Sequence, residues 1–537
     1  MNELLKQGIA VLDGAMGTMI QKYELTETDF HTKQISGDTG EIPQELIDCG
    51  KDDDIPKALE ELRCNSRELR GNNECLNLTR PDVIYDIHRK YIHAGAGIIE
   101  ANIFSANRIS QSEYGTSSLA YIMAREGARI ARLAADNAPQ GRKVYVAGSV
   151  GPTSKSLTLA PDIERPAYRP YSFKEMADTY MEQIRGLIDG GADIIQIETC
   201  FDALNAKAEI YALEKITEEA KASGDRKVTG RFDENGAFPA IVSVSVSDRS
   251  GRTLTGQTIR AFCTSVSHYP LTAFGLNCSL GAEDLLPLVK EVAGFSPFPV
   301  ICYPNAGLPN EMGGYDETPE QMAESVSRMA SEGILNIIGG CCGTTPEHIA
   351  AICKAVSGKA PRPVPEHRSG LLEVSGLDHL VVDLHSSNFT NIGERTNVAG
   401  SRKFAKLIAA GDYEEGLRIA AAQIENGAGI IDINMDDAML DSAACMESFV
   451  RHIAGDPAVA KAALMIDSSH WESIIAGLEN AQGKCIVNSI SLKEGEEAFL
   501  KKAGEIRDLG AAMVVMAFDE TGQATTFDRK IEICKRA

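Results

Sequence analysis

Short apolar runs recur along the chain, separated by stretches in which apolar positions return every three or four residues. In the first part these runs are "GIAVLDG", "AGIIEANIF", "VYVAGSVGP", "DIIQIET", "AIVSVSVSD", "TAFGLNC", "FPVICYPNAG" and "ILNIIGGCCG". Unbroken runs of this kind read as strands buried on both faces, and the stretches between them as amphipathic helices. Eight strands alternating with helices predict a (β/α)8 TIM barrel whose last strand ends near Cys342. Polar or small residues follow each run, where the loops of a barrel's C-terminal face lie.

The Pro-rich, basic stretch "SGKAPRPVPEHRSG" (Ser357 to Gly370) reads as a linker. A second α/β series follows, with strands "SNFTNIGE", "AGIIDINMD", "ALMIDSS", "CIVNSIS" and "AAMVVMAFDE". Only five strands are expected there, which predicts a second TIM-type barrel that breaks off incomplete before Ala537, with open strand edges and lower stability. The domains are therefore expected at 1–356 and 376–537, joined by 357–375. The polar segment Thr32 to Leu69 is expected to be a surface insertion, partly helical.

Charge narrows the partners. Lys and Arg number 53 against 76 Asp and Glu, a net charge of -23, which argues against nucleic acid and against an anionic membrane surface. The N-terminus lacks a basic segment followed by a long apolar one, and no apolar run approaches the roughly 20 residues of a membrane span, so a cytoplasmic location is expected. Thirteen cysteines without framework spacing point to reduced thiols.

Cys341 and Cys342 are adjacent at the end of the eighth strand, and Cys278 ends the sixth, on the same face of the expected barrel. Three thiolates with a fourth position open are the pattern of a catalytic zinc site. Three buried cysteines packed as small hydrophobes are the alternative. Gly339, Gly340 and Gly343 favour the metal, since they clear side chains from around the pair. Thiolate-bound zinc deprotonates an incoming thiol, which points to S-alkylation. Cys353 and Cys534 lie in helix-like stretches away from this face. Glu198 ends the strand "DIIQIE", where a carboxylate is more often functional than structural, whereas Asp13 before Gly-Ala-Met-Gly fits a turn equally well.

The motifs "DGAMGT", "GPT" at Gly151, "ETCFDALNAKAE", "GRTLTGQT", "FGLNCSLG" and "GGCCGTTPEHI" fall in an order that resembles the homocysteine-binding barrel of the zinc-dependent homocysteine methyltransferases. Downstream, "NIGERTNVAGSRKF", "IIDINMDDAMLD", "MIDSSHWE", "IVNSISLKEGEE" and "VVMAFDETGQA" resemble the pterin-binding barrel of the cobalamin-dependent methionine synthases. The resemblance implies that Cys278, Cys341 and Cys342 hold zinc and homocysteine sulfur takes the open position, with Glu198, Asp13 and Gly14 at the amino-acid end. It also matches Glu100, Asn102 and Phe104 of "EANIF", where Ala101 and Ile103 stand in place of the family's hydroxyl residues. For the second barrel it implies a methyltetrahydrofolate site made by Asn391, Asp432, Asn434, Asp467, Asn488 and Asp519, whose carboxylates and amides suit the amino and ring N–H groups of a pterin. Asp467 fits a helix cap with Ser468 as an alternative, and Glu394 with Arg395 fits an internal ion pair as well as a ligand contact.

The resemblance further implies a two-step transfer: cobalamin takes the methyl group of methyltetrahydrofolate over the second barrel and passes it to homocysteine over the first. The family's Asp-x-His-x-x-Gly cobalamin motif does not occur in the sequence, so a cobalamin-binding domain is expected from a missing region or a separate partner. Two rival functions remain at this point, a zinc-dependent homocysteine methyltransferase using another small methyl donor and a zinc-storage or scaffold module.

Overall fold

The first eight expected strands form a parallel sheet: β1 (Ala10–Val11), β2 (Ile98–Glu100), β3 (Tyr145–Val150), β4 (Ile194–Cys200), β5 (Ala240–Val244), β6 (Ala273–Gly281), β7 (Val300–Asn305) and β8 (Ile337–Ile338). The computed structural model describes residues 4–5, 8–35, 42–47, 54–311, 313–365, 370–387 and 389–537. Strands are hydrogen-bonded in the order β1-β8-β7-β6-β5-β4-β3-β2. The last gap is bridged where Leu12 pairs with Ile98, and Asp13 N donates to Ile98 O at 3.0 Å. The sheet therefore closes into a barrel.

Side-chain alternation along each strand makes two cores. Leu12, Ile98, Ile194, Ile241, Ile301 and Ile337 belong to the cluster that fills the barrel, while Val146, Ile195, Val242, Phe274 and Ile338 belong to the core shared with the helices. Burial on both faces is the reason these strands read as continuous apolar runs. Capping boxes at Ser172 with Glu175 and Thr318 with Gln321 start the helices that follow β3 and β7. In the expected insertion, the helix Asp54–Cys64 buries Ile55, Ala58 and Leu62, so its inner face joins the core. Residues 36–41 and 48–53 of that segment lie outside the described residues.

The second unit has a five-stranded parallel sheet in sequence order. Two strands precede it, β9 (Leu371–Ser375) and β10 (His379–Asp383), paired antiparallel. The sheet itself is β11 (Ile392–Asn397), β12 (Ile430–Asn434), β13 (Ala463–Asp467), β14 (Ile486–Ile490) and β15 (Ala512–Val515), and a small hairpin of β16 (Phe518–Asp519) and β17 (Gly522–Gln523) follows. This is a partial TIM-type barrel with β11 and β15 at its edges. Two local features differ from expectation. The first parallel strand begins at Ile392 and not in "SNFT", and residues 371–375, read as the end of a linker, form β9. The hairpin has a packing role: Leu372, Val374 and Leu380 cover Ile430, Ala463 and Ile486 at the N-terminal ends of β12, β13 and β14. Residues 366–369 of the expected linker lie outside the described residues.

The units meet along the helix Ala203–Ser223, which follows β4. Lys207, 1% exposed, donates to Ala481 O and Gly483 O at 3.1 and 3.2 Å, and Lys215 pairs with Asp508 at 2.9 Å. Thr258 N donates to Leu377 O at 3.0 Å, and Gln257 Nε2 to Gly376 O at 2.9 Å. Contact with both units explains why this helix buries Lys207 and Glu209 beside its alanines and leucines. No helix of the described residues is long and apolar enough to cross a membrane.

Candidate functional site

The first site lies at the C-terminal ends of the closed barrel's strands. Cys278 near the end of β6 and Cys341 and Cys342 just after β8 bring their sulfurs within 4.8 Å of one another. Cys278 Sγ and Cys341 Sγ each lie 4.0 Å from Cys342 Sγ. Tetrahedral zinc with bonds of about 2.3 Å needs sulfurs roughly 3.8 Å apart, so the donor set fits that ion with one position left for a ligand. Cys341 N donates to Pro304 O at 2.7 Å and Ala306 N to Cys342 O at 2.9 Å, which ties the pair to the end of β7. Hydrogen bonds from Cys278 and Cys341 drop the Cys342 thiol to about 3, and bonds within the same trio push Cys341 well above the usual thiol range. All twelve described cysteines are free thiols.

The glycines around the pair have a different role from the one expected. Gly343 is left-handed (φ 81°), and a Cβ there would stand 2.4 Å from Tyr315. A Cβ on Gly340 would stand 2.5 Å from Thr344 Oγ1. The space they leave is filled by the protein's own side chains.

Opposite the thiols lie buried carboxyl groups. Glu198 in β4 accepts from Ser149 Oγ and from Tyr303 OH, the latter at 3.2 Å. Glu100 at the end of β2 accepts from Gln196 Nε2. Asp13, 1% exposed, accepts Glu100 N at 3.1 Å through Oδ2, and its Oδ1 is buried without a partner. Burial pushes all three carboxyls up, Glu198 to about 7. Acids desolvated in this way favour a cationic ligand, which restores their charge. A cavity of about 590 Å³ is lined by Gly14, Glu100, Glu198 and the three cysteines. Asp13 stands behind this wall and holds Glu100, so Glu100 is the acid that reaches the cavity from this side. Ala101, Asn102, Ile103 and Phe104 line it too.

The second site is a row. Asn397, Asn434, Asp467 and Asn488 are successive register partners across β11, β12, β13 and β14. Asn434 Nδ2 donates to Asp467 Oδ2 at 3.0 Å. Asp432 lies two residues before Asn434 on the same face, with Oδ1 buried and unpaired. Burial, then the neighbouring Asp467, push its carboxyl up to about 7, against hydrogen bonds from Asn397 and Asn488. The helix Trp471–Leu478 is preceded by His470, and Ser468 bonds Asp436 at 2.5 Å, so Asp467 is not its cap.

Two expected members stand apart from the row. Asn391 precedes β11, at the opposite end of the strand from Asn397, where its carbonyl accepts Gly429 N at 3.1 Å. Asp519 sits in β16, bonded to Arg529 and to Thr521 Oγ1, the latter at 2.7 Å. Among the described residues, Glu394 forms no ion pair with Arg395. Neighbours on a strand point to opposite faces, and Glu394 lies near enough to Asp432 and Asp467 to raise both. Asn397 and Glu394 are thus the contributions of β11. The repeat of an Asn or Asp at successive strand ends was the signal that could have found Asn397.

A family model described as homocysteine S-methyltransferase matches residues 10–356, and one described as pterin binding enzyme matches 393–537. Among solved structures, the homocysteine methyltransferase MmuM from Escherichia coli in its oxidized form is 22% identical, covering 65% of this chain and 96% of that one, with a TM-score of 0.44. Its metallated form is 23% identical, covering 65% and 97%, with a TM-score of 0.41. Through residues 10–356, which carry the thiol trio and its facing carboxyls, the chain belongs to the homocysteine S-methyltransferase family, and residues 393–537 add a pterin-binding domain.

Proposed function

We propose that this chain is the homocysteine- and folate-binding part of a cobalamin-dependent methionine synthase. The observation that carries the proposal is one chain holding both halves of the chemistry. A thiol trio faces buried acids at one mouth, and a row of amides and carboxylates lies at the other. The net reaction moves the N5 methyl group of methyltetrahydrofolate to the sulfur of homocysteine, giving methionine and tetrahydrofolate.

Cys278, Cys341 and Cys342 would hold zinc, which when bound lowers the pKa of a coordinated thiol and presents it as a thiolate. Glu198 and Glu100 take the substrate's ammonium, with Asp13 keeping Glu100 in place and Gly14 bringing backbone close to the amino-acid end. At the second mouth, Asp432 and Asp467 accept N–H groups of the pterin, and Asn397, Asn434 and Asn488 bond its remaining edge atoms. The methyl carrier between the mouths would be cobalamin, brought by a cobalamin-binding region or partner. The first functional domain lies within 1–356, the second runs from β9 at Leu371 to 537, 357–370 joins them, and the setting is the reducing cytoplasm.

Calorimetric titration of the zinc-loaded chain tests this. The expected result is one homocysteine site and one methyltetrahydrofolate site, each filled independently of the other. Homocysteine binding without methyltetrahydrofolate binding would move the assignment to a methyltransferase with another small donor. Absence of both would end it.

A further inference from the structure

A closed circuit of hydrogen bonds runs between Glu198 and Asn277, the residue that precedes Cys278 of the thiol trio. Tyr303 OH touches Glu198 Oε2 at 3.2 Å and also Ser243 Oγ. Ser243 Oγ donates to Asn277 Oδ1 at 2.8 Å. The same Oδ1 accepts Thr199 N at 2.9 Å, and Asn277 Nδ2 donates to Thr199 Oγ1 at 2.8 Å. Thr199 follows Glu198, and Asn277 precedes Cys278, so the circuit runs through β4, β5, β6 and β7 and returns to its start. Ser243, Asn277 and Tyr303 are at most 1% exposed.

Strained backbone lies in the circuit at Thr199 and directly after Asn277 at Cys278. Thr199 has φ 57° and Cys278 φ 60°. Left-handed backbone is a true outlier for a β-branched residue and persists only where surroundings impose it. Three of the bonds that hold Thr199 and its neighbour strand belong to the one amide of Asn277. That amide fixes the residue after the ammonium-binding acid and sits beside the residue that carries a sulfur. Among the described residues the Asn277 side chain bonds Thr199 and Ser243, neither of them given a role in the chemistry, and it is not among the residues that line the cavity.

We propose that Asn277 is a positioning residue that sets the separation between the thiol trio and Glu198, and so selects the length of the thiol amino acid held across them. The inference rests on the function proposed above, with substrate sulfur at the cysteines and ammonium at Glu198. A rigid span matches one chain length. Cysteine is shorter than homocysteine by a methylene, a difference that a well-shaped site converts into roughly 10–200-fold discrimination.

The test is calorimetric titration of the zinc-loaded full chain with L-homocysteine and with L-cysteine, alongside metal analysis. Asn277→Ala is expected to keep one zinc per chain and to lose about tenfold or more of the preference for homocysteine, because the relaxed span fits cysteine less badly. Ser243→Ala, which leaves the Asn277–Thr199 pair intact, should give a smaller loss in the same direction and serves where the first variant fails to fold. Equal weakening of both ligands, with the preference ratio preserved in every folded variant, would overturn the proposal and leave Asn277 a structural residue. A wild-type chain that binds zinc but not homocysteine would instead sink the underlying functional assignment.

Discussion

The two mouths of this molecule are built by opposite geometries. In the first, side chains from after β1 and from β2, β4, β6 and the end of β8 converge across a closed barrel, and thiols face acids over a cavity. In the second, Asn397, Asn434, Asp467 and Asn488 stand side by side on neighbouring strands. Convergence needs closure, because strands far apart in the sheet order must face each other around one axis. A row needs only adjacent strands, so an open five-stranded sheet supplies it in full. The chemistry follows the same division. Activating a sulfur requires donors on several sides of one atom, whereas a flat heterocycle can be read along one edge.

The largest expected effect breaks the first mouth and spares the second. Cys341→Ala should lose the bound metal, and with it thiol alkylation by on the order of a thousandfold, since a metal contributes several kcal/mol to such a step. Methyltetrahydrofolate binding should be unchanged. Metal analysis and paired titrations check this, and full zinc occupancy in the variant would remove the trio from its role. Cys353→Ala is the control, as that residue lies in the helix Pro346–Val356 and should change neither reading.

A milder change separates recognition from metal binding within the same mouth. Glu198→Gln loses a charge-assisted contact to the ammonium of about 1.5–3 kcal/mol, which weakens homocysteine binding roughly tenfold to a hundredfold. Zinc should stay. Unchanged homocysteine affinity would show that Glu100 alone carries the ammonium.

How much of this was visible in the sequence differs between the mouths for physical reasons. The strands were legible because burial on both faces writes them as unbroken apolar runs. Cys278, Cys341, Cys342 and Glu198 were legible because each interrupts or ends such a run with a chemically loud group. Asn397 was hidden by a register shift between Gly393 and Thr396, since a bulge resets which residues share a face and local alternation does not reveal it. Asp519 reads as a strand end, but it pairs with Gly522 in a hairpin and its carboxylate bonds Arg529, ten residues on. β9 and β10 were obscured by the Pro-rich stretch before them, and their purpose, covering the bottom of the second sheet, exists only in three dimensions. The circuit from Glu198 to Asn277 spans four strands and has no sequence signature.

Within the second mouth, Asn434→Ala removes the amide that pairs with Asp467 and leaves that carboxylate without its donor. The expected loss is up to about tenfold in methyltetrahydrofolate affinity, the scale of one ordinary hydrogen bond. Homocysteine affinity should not move. A matching loss at both mouths would show that the units respond as one body through the helix Ala203–Ser223 and not as separate sites.

The smallest expected effect concerns charge in the row itself. Asp432 is pushed from its ordinary 3.8 up to about 7, by burial first and by Asp467 next. Between those pH values the folded chain keeps a proton that the unfolded chain has released, so this group makes stability fall as pH rises through the window and level off above about 7. Asparagine at that position has the same shape and no charge to bury. Asp432→Asn should therefore melt close to the parent at pH 4 and above it at pH 8, by about 2–4 °C for each kcal/mol recovered. Thermal melts of both proteins across this range check the sign. A gap of equal size at both pH values would assign the change to hydrogen bonding with Asn397 and Asn488. The row would then be a set of neutral contacts, and the first mouth alone would depend on buried charge.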